Sequence, residues 1–289
     1  MISDRDCFDS IHSGSYSSRF YPESRFGGFS DIDGTIAFYT RVNSLLASDS
    51  VVLDVGCGRG EYADDPILFR RNLRVLKGKA KKVIGLDVDP TASQNCFVDD
   101  FRKLTFGAPW PIESGACSLV LCDHVVEHLA NPDSFFGECS RVLRNEGYIC
   151  IRTTNTRSYA ALAARLVPNR YHARVLTFAQ GNRRPEDVFP TVYRCNSLRK
   201  LRRMLTRHGF DHAVYGQEAE PDYLKFSALA YRLGVLHQRW APRSLHRTIF
   251  AFGQLRDEGL QGVAEARIPG HAANMHVRRL RVGITMSQS

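Results

Sequence analysis

Short apolar runs punctuate the chain at intervals. Val51-Val52-Leu53-Asp54-Val55, Val83-Ile84-Gly85-Leu86-Asp87, Ser118-Leu119-Val120-Leu121-Cys122 and Tyr148-Ile149-Cys150-Ile151 are each too short for a helix and continuous rather than alternating. Such runs read as strands of a parallel sheet buried on both faces. Stretches of helical period lie among them. Asp33 is placed to cap a helix whose Ile36, Tyr39, Val42, Leu45 and Leu46 share a face. Asn131-Pro132 opens another, with Phe135, Phe136, Cys139, Val142 and Leu143 at helical spacing and Gly147 closing the unit. A third places Leu198, Leu201, Leu205 and His208 inward and Arg199, Lys200, Arg202, Arg203 and Arg207 outward, and Gly209 stops it. Cys96-Phe97-Val98 reads as a further strand, with Asp99-Asp100-Phe101 as its loop. Gly209-Phe210 with Ala213-Val214-Tyr215, and Thr248 to Phe252 after a helical insertion around Tyr223 to Gln238, read as the last two. Strands alternating with helices predict a doubly wound α/β sheet with helices on both faces.

The first run ends in a turn that carries chemistry. Asp54 is followed by Gly56, Gly58 and Gly60 at every second position. Glycine lets backbone approach a ligand closely and tolerates positive φ. The third glycine comes one residue too early for the dinucleotide fingerprint G-x-G-x-x-G. An acid two residues before the glycines suits a ligand with a cation and no phosphates. Asp87 ends the second run, where nucleotide-binding sheets hold ribose hydroxyls. Asp123-His124-Val125-Val126-Glu127-His128 follows the fourth.

This ordered set, from residue 51 to 155, resembles class I S-adenosylmethionine-dependent methyltransferases. The resemblance extends over about 33–254. It implies a mostly parallel seven-stranded sheet with one antiparallel strand, S-adenosyl-L-methionine as cofactor, and cofactor contacts from Asp54, Gly56, Cys57, Gly58, Gly60, Asp87, Asp100, Phe101 and Asp123. Asp54 would orient the glycine loop and hold the cofactor amino group. Asp87 would take the ribose, and Asp100 the adenine amino group. Residues 156–195 would form a lid insertion over the acceptor. A hydroxyl acceptor needs a base. His172, in that lid, is the first candidate, with His124 and His128 beside it. The implied reaction is methyl transfer to a small-molecule, sugar or glycan acceptor, at oxygen. A nucleotide-dependent oxidoreductase on a similar sheet and a non-catalytic S-adenosylmethionine-binding protein stay open as alternatives.

His124 to His128 also fits H-x-x-E-H, an inverted zinc-protease motif that requires a helix. Its place directly after a strand argues against that, and no metal is expected. The net charge of +9 on 289 residues raises nucleic acid as a partner. The excess is local, with fifteen Lys and Arg from Arg141 to Arg207, part of it the outer face of one helix. A solvated basic face is the reading taken, against nucleic acid. No apolar run approaches the ~18 residues that span a bilayer. The polar start Met1-Ile2-Ser3-Asp4 is not read as a signal peptide, and eight cysteines without a C-x-x-C pair point to a reducing cytoplasm. Residues 1–32 are expected to pack loosely, and 255–289 to form a partly disordered tail.

Overall fold

The computed structural model describes residues 16–159, 161 and 191–256. The described helices are α1 (Tyr16–Phe20), α2 (Gly34–Ser44), α3 (Leu68–Arg74), α4 (Pro132–Val142), α5 (Leu198–Arg207) and α6 (Ala228–Trp240). The strands are β1 (Val51–Val55), β2 (Lys82–Asp87), β3 (Asp100–Lys103), β4 (Cys117–Asp123), β5 (Leu143–Thr154), β6 (Phe210–Gln217) and β7 (Thr248–Leu255). They form one seven-stranded sheet of order β3-β2-β1-β4-β5-β7-β6, in which β7 is antiparallel to both neighbours and the other pairings are parallel. The sheet is that of the seven-stranded methyltransferase fold.

The apolar runs are continuous because both faces are covered. Leu53 and Val55 point into one core with Phe136, Cys139, Leu201 and Leu205, under α4 and α5. Val52 points into the other with Phe38, Tyr39 and Val42, under α2. Capping follows the sequence closely. The Asp33 carboxylate accepts from the Thr35 and Ile36 amides, and Asn131 accepts from Ser134 before Pro132 begins α4. Gly209, at φ +81°, follows the end of α5.

Two expectations shift. The third strand is Asp100–Lys103, not residues 96–98. The segment expected as strand is occupied with other partners. The Asn95 side chain donates to the Cys57 and Gly58 carbonyls, and Lys77 Nζ donates to the carbonyls of Cys96 and Val98. Asp99 then clasps β2 through the Val83 amide at 2.8 Å. Leu143 belongs to β5, not to the helix, and β5 runs on through Gly147, which closes nothing. Its start matches a register shift between Cys117 and Leu119 on β4.

Strand order reverses about β1 and β4, so a crevice opens at their carboxyl ends. No helix among the described residues is long and apolar enough to cross a membrane.

Candidate active site

A cleft of about 900 Å³ occupies that crevice. Asp54, Gly56, Cys57 and Gly58 line it from β1 and its loop. Thr35 and Tyr39 come from α2, Arg70 and Arg74 from α3, Asp123 and His124 from the end of β4, and Arg152 and Thr154 from β5.

The loop is held from below. The Gly56 amide donates to Leu86 O at 2.7 Å, and the Gly58 amide to Asp87 Oδ2 at 2.9 Å. Gly56 sits at φ +70°, and a Cβ there would stand 2.5 Å from Val125 Cγ2. Gly58, at φ +54°, has more room, its nearest neighbour being the flexible Glu61 carboxylate. Asp87 is buried and also accepts from the Asp89 amide at 2.9 Å. It therefore fastens the glycine loop, the task the sequence suggested for Asp54. Cys57 is buried beneath the loop, and burial pushes its thiol pKa up.

Asp54 is left without a protein partner. Its carboxylate receives no hydrogen bond or ion pair among the described residues, although it faces the cleft. Burial, then the nearby Asp123 charge, push its pKa up to about 7. Arg74 is its complement. It lines the same cleft, its guanidinium lies over the Tyr62 ring at 4.6 Å, and its Nε is buried with no hydrogen-bond partner among the described residues. An acid without a hydrogen bond, with the Arg74 guanidinium on the same cleft, fits the zwitterionic amino-acid end of S-adenosylmethionine. Bound there, the cofactor supplies an electrophilic methyl group.

Asp123 is committed differently. Arg152, on the neighbouring strand in direct register, grips it in a fork, Nε to Oδ1 at 2.6 Å and Nη2 to Oδ2 at 2.5 Å. Tyr39 Oη donates to the same carboxylate at 2.9 Å, and Arg152 Nη1 reaches Thr35 Oγ1 at 2.7 Å. Burial would raise the Asp123 pKa, but the Arg152 charge outweighs it and holds the carboxyl well below its ordinary value. This pair ties α2 to the sheet and forms one wall of the cleft.

The turn after β4 carries a second device. His124 adopts φ +59°, a left-handed conformation unusual outside glycine. Its amide donates to Arg152 O at 2.8 Å, and its Nδ1 lies 2.9 Å from Glu127 Oε1. Glu127 is buried and accepts from Thr153 Oγ1 at 2.6 Å. Burial pushes the Glu127 carboxyl up, but the bond from His124 and that from Thr153 bring it below its ordinary value. Val126–His128 is a single tight 3-10 turn rather than an α-helix, so the H-x-x-E-H stretch lacks the frame that stacks two histidines on one metal.

Of the residues expected at the site, Asp54, Gly56, Cys57, Gly58, Asp123 and His124 line the cleft. Asp87 lies just under the loop, and Gly60 follows it, capping a short 3-10 turn. Asp100 and Phe101 do not line the cleft. Asp100 opens β3 instead of following it, and is paired with Lys82, at the start of β2, and with Arg102. His128 is not among the lining residues either, and His172 lies outside the described residues. Tyr39 was read only as part of a helix face and Glu127 only within the H-x-x-E-H stretch, and Arg74 and Arg152 were not singled out by the sequence.

A family model described as a methyltransferase domain matches residues 34–213. A Mycobacterium tuberculosis protein named as a probable S-adenosylmethionine-dependent methyltransferase is 30% identical over 165 residues, 55% of this chain and 56% of its own. A ubiquinone biosynthesis O-methyltransferase from Nitrosomonas europaea is 29% identical over 137 residues, 43% of this chain and 56% of its own. The chain thus spans about half the length of these curated relatives. Among solved structures, a chain in the complex between the Haloferax volcanii Trm112 methyltransferase activator and a proposed methyltransferase superposes with TM-score 0.51 at 16% identity. The match covers 89% of this chain and 99% of that one, and shows the fold alone. With more than half of its length matched by the family model, the chain belongs to the methyltransferase-domain family.

Proposed function

We propose that the enzyme methylates a hydroxyl oxygen of a small-molecule or glycan acceptor, with His124 as general base and residues 33–254 as the catalytic domain. The observation that carries this is the His124–Glu127 pair at the cleft wall. With Nδ1–H donating to Glu127, the Nε2 of the neutral His124 ring bears the lone pair, 4.0 Å from Asp123 Oδ1. His124 is about 42% exposed on its side chain, open enough for an acceptor to reach it. Loss of the hydroxyl proton to Nε2 makes the oxygen a competent nucleophile as the methyl group is transferred. The resulting imidazolium is stabilised by the buried Glu127 carboxylate, which also fixes the ring. The name of the Nitrosomonas europaea relative supports oxygen as the acceptor atom.

Methyl-labelled S-adenosylmethionine offered with phenols, sugars, glycolipid precursors, amines and thiols tests this. Label in an oxygen-linked methyl group is expected. Label only in amines or thiols, or cofactor binding without turnover on any of them, would overturn the reading.

A further inference from the structure

Helix α6 carries an apolar stripe that the domain does not use. Its inner face is already filled. Tyr231 is fully buried with its hydroxyl on Glu220, Val235 is buried, and a Cβ on Gly234 would stand 2.7 Å from both Pro221 and Leu224. The opposite face presents Leu229, Leu233, Leu236 and Trp240, spaced by four, three and four residues and 54% to 81% exposed. That spacing aligns all four side chains along one side of a helix about 20 Å long. Arg232 and Arg239, a heptad apart and both exposed, run along the flank, and Arg243 follows the helix end. Arg232 and Arg239 form no ion pair with a described residue, and Ala228–Trp240 holds no Asp or Glu.

We infer that α6 seats on the surface of an anionic lipid bilayer. Leucines and a tryptophan on one face, cations beside them and no acids in the helix are the composition of a helix that lies in the interfacial plane. Tryptophan suits the headgroup level, and arginine stems reach phosphates from the flank. The bilayer meets both requirements of the stripe, an apolar interior and a negative surface. The surface adjoins the catalytic cleft, because Lys225, which lines the cleft, stands three residues before Ala228. The docking does not depend on which acceptor is methylated.

Flotation of the full chain with vesicles of equal parts phosphatidylglycerol and phosphatidylcholine tests this. Binding is expected, and it weakens in high salt and on pure phosphatidylcholine. Leu233→Gln with Leu236→Gln should reduce binding at least about tenfold, and Arg232→Gln about fivefold, the scale of one cation near an anionic surface. Trp110 is buried, so a blue shift of tryptophan fluorescence on vesicle addition reports Trp240 independently of any variant. Absence of binding and of the blue shift would overturn the inference. So would a concentration-dependent dimer, in the absence of lipid binding, that the leucine substitutions dissolve.

Discussion

His124→Asn is expected to lower methyl transfer to a hydroxyl acceptor about 10²–10⁴-fold, the contribution of a positioned general base. Asparagine is chosen because it tolerates the left-handed φ of +59° that alanine would hold at a cost. The backbone amide bond to Arg152 O is then kept. Cofactor affinity should be unchanged, so the loss falls on kcat. It should shrink at high pH, where the acceptor hydroxyl ionises without help. Glu127 is a positioning residue in this scheme. Glu127→Gln keeps a hydrogen-bond acceptor for Nδ1 and removes the charge that stabilises the imidazolium, so it should lower kcat while leaving the KM for the cofactor unchanged. Steady-state kinetics with the acceptor found by labelling would check both. Undiminished kcat in His124→Asn would remove the histidine from the mechanism.

Arg152→Met is expected to destabilise the fold by about 3–5 kcal/mol, because it strands a buried carboxylate. Methionine fills much of the volume but gives Asp123 no charge and no donors. The Tyr39 hydroxyl remains as that carboxylate's hydrogen-bond donor, with His124 Nε2 4.0 Å away. In the wild type the folded pKa of Asp123 is depressed. Its stabilising contribution is therefore present above the unfolded value of about 3.9 and is lost as pH falls through the folded value. In the variant that contribution is gone. The gap between the two proteins should thus be largest near neutrality and close in acid. Asp123→Asn in the Arg152→Met background should recover part of the loss, since an amide is far cheaper to bury than a charge. Urea unfolding at neutral and acid pH measures these differences. A loss under about 1 kcal/mol would mean that water reaches the pair and screens it.

How much of this the sequence could disclose depends on where each residue's partners lie. Strands covered on both faces leave continuous apolar runs, so β1, β2, β4 and the centre of β5 were plain. The strand β3 is an edge strand with the sequence Asp-Phe-Arg-Lys, half of it exposed, and its polar residues hid it. That misplacement carried Asp100 and Phe101 to the cleft in expectation. The acid–glycine turn was legible because its requirement is local backbone geometry. The roles of its acids were not. Asp87 lies 29 residues from Gly58, and only the sheet register brings its carboxylate to the loop amide. Arg152 is legible only across the sheet, as a cation ending one strand opposite an acid ending its neighbour. Glu127 stood inside a motif noticed for its histidines. Its pairing with His124 needs a left-handed turn, which no residue type in that stretch announces.

The arrangement of the cofactor site rests on Asp54, the unpartnered acid of the cleft. Its pKa near 7 means that the cofactor-free protein holds a proton there in mild acid. An ammonium group placed against Asp54 favours the ionised form, so binding must release that proton below about pH 7. Calorimetric titration of S-adenosylmethionine over this range, in buffers of different ionisation enthalpy, counts it. The expected result is binding that tightens up to about tenfold from about pH 6 to about pH 7.5, with close to one proton released at the acid end. In Asp54→Asn, binding should be weaker and this pH dependence absent. Binding whose affinity and proton count do not change with pH in the wild type, or a preference for NAD over S-adenosylmethionine, would contradict it.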